Sequence, residues 1–379
     1  PNEITWVLTK VFMDVPNSYA EGPAGGRHIM PKRAELNDKQ AALDYDKNPI
    51  AAGLMRLVSH TPAEVMRFER FDDFYYQPEN GFPEDKRVNF QFLDMYIVPE
   101  EAVRVAALRA GEADIVPSSL ATKSQVEAGG GRMVFGPEGI ITDARFVDCW
   151  PGGFDLWPKD ADGFPNCHDK RVRQALQLAL NRVVIRDQLY GGPEVFQIKG
   201  WWRATPSNNA YTPELDNLTP FDPDKARQLL ADAGYPGGEG FGKLIVNTSP
   251  STSLPLLVEQ AQLGADMWRR ELGLDVEVRV GDRTAIKKAV RDKELIGQVI
   301  WQDNETRADV TGSYTYFYGD RAITNNLQNS LHDDQQLLDL VHAAIEILDS
   351  GDRAEALKKL TLTLADESYH FNVGYVNIP

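Results

Sequence analysis

Between Lys243 and Trp301, polar and apolar positions follow a repeating order. Lys243–Ser249 is a short apolar run of strand length, and Leu254–Leu272 carries a helical period that stops at Gly273. Leu274–Val280 alternates Val276, Val278 and Val280 with Asp275, Glu277 and Arg279; Arg283–Lys293 is helical again, and Leu295–Trp301 reads as a third strand. This β-α-β-α-β order predicts a largely parallel sheet with helices packed on it. In open sheets of that kind ligands sit beyond the carboxyl ends of the strands, which makes Ile300-Trp301-Gln302-Asp303-Asn304 the first candidate for a site.

The flanking segments have their own periods. Arg67–Phe71 and Asn89–Val98 alternate as strands with one buried face, and Glu100–Ala110 is a short helix ended by Gly111. Val172, Leu176, Ala179 and Val183 form a stripe at helical spacing. A further helix has a capping Asp222, Pro223 in its first turn, inward Ala226, Leu229 and Leu230, and Gly234 at its end. Residues 332–366 read as two amphipathic helices through Leu337, Leu340, Val341, Ala344, Ile345 and Leu348, then Ala354, Leu357, Leu360 and Leu364. A short apolar stretch, Phe371–Ile378, closes the chain, and the first fifty residues are rich in turn formers such as Glu21–Gly26.

At 379 residues the chain exceeds one ordinary core, so more than one domain is expected. Forty basic against 56 acidic residues give a net charge of −16, a field that repels phosphate backbones and anionic lipid, so no nucleic-acid partner is expected. No apolar stretch approaches the roughly 18 residues needed to span a bilayer, and Pro1-Asn2-Glu3 does not open a signal peptide. The two cysteines, Cys149 and Cys167, lack CxxC spacing and have no His/Cys cluster around them. They read as two buried thiols or as one short-loop disulfide. The bridge is the expectation adopted, because Cys149 ends a strand and Cys167 precedes a helix.

Most chemistry finds no support. Gly237–Lys243 satisfies GxxxxGK, but Leu244 replaces the metal-binding Ser/Thr, and the run follows a helix and opens a strand. GxSxG and HExxH are absent, and His332-Asp333-Asp334 reads as a helix start rather than a metal site. No catalytic residue, metal or cofactor is therefore expected. Trp301 beside Asp303, in a polar run with Asn304, Arg307 and Asp309, would suit an ammonium group through cation–π and charge-assisted contacts. Trp301 is then expected to be partly exposed, since so little apolar material surrounds it.

Several stretches, in one order, resemble the extracellular solute-binding proteins of family 5, which serve ABC importers of peptides, nickel chelates, opines and some oligosaccharides. Asn48–Leu57 looks like the family's NPVGTGPYKL turn, followed by its strand pair through Glu69-Arg70 and Tyr75-Tyr76. Ala107–Ile115 is similar to ALxxGEID, and Asp169–Leu176 with Asn181-Arg182 to DxRVRQAxxxAIDR. Phe221–Ala226, Leu229-Leu230 and Ala233–Pro236 match YDPxKAxxLLxxAGYP, and Trp301-Gln302-Asp303 sits where the family has its WxxD ligand loop.

The resemblance implies an α/β fold of the periplasmic-binding-protein type II, two lobes with mixed sheets and flanking helices closing on a ligand about a hinge. Residues 1–148 are expected in a partial hinge-side lobe, 149–350 in the second lobe around the 243–301 core, and 351–379 in a return segment to the first lobe. The family's opening portion has no counterpart and the last segment stops early, so an N- and C-terminally truncated fragment is expected. The implied function is capture of a small polar solute, peptide-, opine- or sugar-like, by a monomer that delivers it to a membrane permease. The implied place is periplasmic or extracellular, with anchoring through a missing N-terminus as one option. An α/β hydrolase or transferase is the alternative, and a chain that only signals or scaffolds a weaker third.

Two departures shape the expected site. Tryptophan and aspartate are separated by one residue rather than two. Where peptide-binding members often carry an arginine for the peptide carboxylate, this chain has Ser249-Pro250-Ser251-Thr252-Ser253. A hydroxyl-rich ligand, or an amine without a partner carboxylate, is expected on that loop. The site residues expected are Trp301, Asp303, Asn304, Trp150, Ser251 and Ser253.

Overall fold

A computed structural model describes residues 53–74, 88–119, 122–134, 139–147, 167, 169–251, 253–254, 256–306, 309–318 and 335–377. These residues divide into two compact units between Met133 and Val134. In the smaller, β1 (Met55–Thr61), β2 (Val65–Arg70) and β3 (Phe92–Tyr96) form an antiparallel sheet in the order β1-β2-β3. Cross-strand pairs Arg56–Glu69 at 2.8 Å and Arg67–Asp94 at 3.2 Å hold adjacent strands, as opposite charges on facing positions do. Two helices follow, α1 (Glu101–Ala110) and α2 (Lys123–Ala128). The Glu101 carboxylate ties them together by accepting from Ser119 N at 2.6 Å and the Thr122 hydroxyl at 2.7 Å.

The larger unit begins with β4 (Ile140–Phe146), α3 (Lys170–Leu178), α4 (Arg182–Leu189), β5 (Phe196–Gln197), α5 (Leu215–Leu218) and α6 (Pro223–Asp232). The expected alternation then appears as β6 (Lys243–Thr248), α7 (Leu257–Leu272), β7 (Asp275–Val280), α8 (Arg283–Arg291) and β8 (Val299–Glu305). The described chain ends with α9 (Thr311–Tyr318), α10 (Gln335–Glu346), α11 (Ser350–Glu367) and β9 (Phe371–Val376). The predicted cap at Asp222 forms, and Asp282 caps its helix in the same way. Asp222 accepts from Lys225 N at 3.0 Å and Asp282 from Ala285 N at 2.9 Å, filling donors that a first helical turn leaves open.

The sheet order is β5-β9-β4-β8-β6-β7. β6 runs parallel to β7 and β8, while β4 is antiparallel to β8 and β9, and β5 to β9. The sheet is thus mixed, and only its β8-β6-β7 part is parallel. β8 runs further than its apolar residues suggest, because β4 pairs with it from Phe146↔Val299 to Ile140↔Glu305 and the ladder carries the polar run into the strand. The boundaries placed at 148 and 350 do not follow this pairing: both β4 and β9 find their backbone partners inside the sheet of the 243–301 core.

Two finer readings also change. The stripe Val172, Leu176, Ala179 is buried, but Val183 is exposed, because α3 ends at Leu178 and α4 starts on a new axis. Leu348 lies beyond α10 and is exposed. The glycine-rich run before β6 is a tight connection: a Cβ on Gly238 would stand 2.6 Å from the Gly273 carbonyl oxygen, so only glycine lets these two turns meet.

Cys167 is buried and disulfide-bonded. Cys149, the chain's other cysteine, lies outside the described residues. A bridge between them closes a loop that contributes about 3 kcal/mol in the chain-entropy picture. Titration of the unreduced, denatured protein is expected to find no free thiol, and two reactive thiols would refute the pairing.

Candidate functional site

Because β6, β7 and β8 run parallel, their carboxyl ends share one edge of the sheet. Ser249, Pro250 and Ser251 leave β6 there, Gly281-Asp282-Arg283 leave β7 and open α8, and Asp303 and Asn304 lie in the last residues of β8. The edge is built around Asp303. Its side chain is only 5% exposed and is paired with the Arg283 guanidinium through Nη1, while Arg283 Nη2 donates to the Asp303 carbonyl at 3.2 Å. The Ser251 hydroxyl donates to the other Asp303 oxygen at 3.0 Å and accepts from Ser253 N at 3.1 Å and Leu254 N at 3.0 Å. One serine therefore fixes the turn into α7 and the carboxylate together.

Asn304 faces a second, buried group. Asp143 and Arg145, two apart on β4, share a face of the sheet with Gln302 and Asn304 of β8. Asp143 accepts from Arg145 Nη1 at 2.5 Å, Gln302 Nε2 at 2.9 Å, Asn304 Nδ2 at 3.0 Å and His370 Nδ1 at 2.5 Å. Burial alone would raise the carboxyl's pKa; the Arg145 and His370 neighbours and these hydrogen bonds outweigh it and hold the group below the ordinary carboxylate range. As an ionised carboxylate only accepts, the His370 proton sits on Nδ1. The imidazole stacks on Trp202 at 3.9 Å between ring centroids, with Phe317 and Tyr318 each at 5.6 Å. Arg145 lies 5.0 Å over the Phe317 ring.

Burial lowers the pKa of His370 to about 4, against the pull of Asp143. An unfolded chain takes up this proton near pH 6.5, so between there and about 4 it binds more protons than the folded chain. Stability should therefore fall on acidification through that window, and further below 3.8 as unfolding lets Asp143 protonate. Urea denaturation from pH 8 to pH 4 checks the sign. In His370→Asn, less stable at the outset, the slope through that window should flatten; an unchanged slope would assign it to other groups.

The expected site residues separate into three groups. Asp303, Ser251 and Ser253 come together at the carboxyl edge, with Ser253 exposed and its backbone on Ser251. Asn304 is on the same strand but donates to Asp143, and Trp150 lies outside the described residues. Trp301 is corrected: it is fully buried, not partly exposed. Its ring meets Trp268 edge-on at 5.9 Å and its Nε1 donates to Gln260 Oε1 at 2.9 Å. A Cβ on Gly264 would stand 2.3 Å from that ring, so α7 has made room for the indole and no ligand can reach it. Asp303 is paired with Arg283 and Ser251.

Four residues were not anticipated: Arg283, Asp143, Arg145 and His370. Arg283 had a legible signal, since it is the first helical residue after a strand of the parallel core. Asp143 and Arg145, alternating with Thr142 and Ala144, carry only the faint signal of two charges on one face of an apolar strand. Among the described residues no group of three His, Cys, Asp or Glu is placed to hold a metal ion, and no helix is long and apolar enough to cross a membrane.

The model of the bacterial extracellular solute-binding proteins, family 5, matches residues 1–325, and the chain belongs to that family. A Brucella ovis protein named as an ABC transporter peptide-binding protein is 27% identical over 252 residues, 63% of this chain and 40% of that protein. Heme-binding protein A of Haemophilus influenzae is 24% identical over 194 residues, 51% of this chain and 31% of the relative. The chain thus spans well under half the length of these relatives. The crystal structure of the ABC transporter substrate-binding protein CtaP from Listeria monocytogenes has the same fold, with a TM-score of 0.68 at 21% identity over 88% of this chain and 62% of that one.

Proposed function

We propose that this chain is part of the extracellular solute-binding subunit of an ABC importer, capturing a small polar solute at the carboxyl edge of its mixed sheet and delivering it unchanged to a membrane permease. The observation that carries this reading is the edge itself. Ser251, Asp303 and Arg283, from three separate strand ends, hold one another in place and leave part of the Arg283 guanidinium toward solvent, a polar seat prepared before any ligand arrives. The His370–Asp143 pair, which in an enzyme would serve as a base, lies under Trp202 and is buried, where no substrate meets it. It braces the sheet instead. The named relatives take peptides in one case and heme in another, so kinship leaves the ligand class open among peptide-, opine- and sugar-like solutes.

The work is done outside the cytoplasmic membrane, by a single chain with a permease as partner. Native mass spectrometry of the purified protein for a retained small molecule, then calorimetry against peptide, opine and sugar libraries beside hydrolysis assays, tests it. Saturable binding without turnover is the expected result. Turnover of any bound compound would sink it in favour of a hydrolase or transferase.

A further inference from the structure

We infer that the outer face of α8 docks a narrow acidic segment of a partner protein. This goes beyond solute capture and does not depend on it. α8 buries Val290 and half-buries Ile286 and Ala289, so the side it turns to the core is apolar and narrow. The opposite side reads Thr284, Lys287, Lys288 and Arg291, at i, i+3, i+4 and i+7, the spacing of one helix face. All four are exposed, and no carboxylate lies among them. Three cations thus meet on one face in a chain whose net charge is −16.

The nearby acids do not neutralise this face. Asp282 accepts from Ala285 N at 2.9 Å at the start of the helix, and Asp292 is paired with Lys288 at its end. Among the described residues Lys287 and Arg291 make no ion pair, although like charges one turn apart repel. Cations on other helices are met by a carboxylate a turn away: Arg227 by Asp224, Arg269 by Asp266, Lys358 by Glu355. The negative end of the helix dipole accounts for Lys288 and Arg291 in the last turn, but not for Lys287. Nine residues make a helix about 13 Å long, little more than the screening length at about 0.1 M salt, so its field acts only close by. Further out the acidic surplus of the chain prevails. A broad anionic surface such as a bilayer would meet that surplus as well, and α8 exposes no large apolar side chain to insert into one. A single row of carboxylates one turn apart meets the cations alone, and an acidic helix face or loop on a partner protein has that form.

The probe is a blocked, fluorescently labelled alanine peptide with glutamates at i, i+3, i+4 and i+7, titrated with the whole chain and followed by anisotropy. Saturable binding is expected in about 20 mM salt, weakened about tenfold in about 150 mM salt. Lys287→Glu/Arg291→Glu should weaken it about tenfold at the lower salt. Lys225→Glu/Lys359→Glu, which replaces exposed lysines on α6 and α11 for the same change in net charge, should leave the affinity within about twofold. Equal weakening by the two double variants would assign binding to overall charge and overturn the inference, as would no saturable binding by the parent. Tighter binding to phosphatidylglycerol vesicles than to the peptide, lost in the α8 variant, would give the face to lipid and overturn it too. Urea melts at parental stability confirm that both variants fold. The α8 variant should keep parental affinity for any solute found by calorimetry, so the two readings fail separately.

Discussion

A Trp301→Ala chain is expected to lose about 3–5 kcal/mol of folding stability, the cost of deleting a large buried aromatic. The indole is fully enclosed between β4, β8 and α7, and its removal leaves Gly264 facing a void that a helix backbone cannot collapse to fill. Gln260 Oε1 would lose one of its two donors and keep only the Thr142 hydroxyl at 2.8 Å. The reciprocal change, Gly264→Ala, attacks the same contact from the helix side by placing a methyl group into the ring, and should destabilise as well. Urea melts of both variants measure the effect. A Trp301→Ala protein with parental stability but weakened ligand binding would return the residue to the site.

Asp143→Ala should be at least as damaging. It strands the Arg145 guanidinium inside the sheet, and a buried ion left without its partner costs about 3–5 kcal/mol. Gln302, Asn304 and His370 lose their common acceptor in the same step. Adding Arg145→Met should recover part of the loss, because well-packed apolar replacements of a buried pair are often neutral. Recovery is expected to be incomplete, since the two amides and the imidazole remain unpaired. A single Asp143→Ala variant within 1 kcal/mol of the parent would show that water satisfies these groups and that the cluster is not closed.

How much of this was legible follows the range of the forces involved. The βαβαβ order, the helix starts at Asp222 and Asp282 and the stop at Gly273 are written in period, capping chemistry and turn residues, all of which act within a few positions. The end of β8 was misjudged because apolar periodicity stops at Trp301, whereas strand pairing with β4 continues through Glu305. Burial of Trp301 was missed for a related reason. The residues after it are polar, and what covers it comes from Gly264, Gln260 and Trp268 on α7.

The sequence by itself determined the family and the order of elements in the core, because each depends on residues close together in the chain. Only the tertiary structure decided which charges meet at the carboxyl edge of the sheet. Asp303 and Arg283 are twenty residues apart, on a strand and a helix start that meet only when β6 pairs with both β7 and β8. Asp143 and His370 lie 227 residues apart and become partners only because β9 pairs beside β4. A carboxylate's role follows from what neutralises it, and in a folded chain that partner is chosen by the sheet, not by the neighbouring letters.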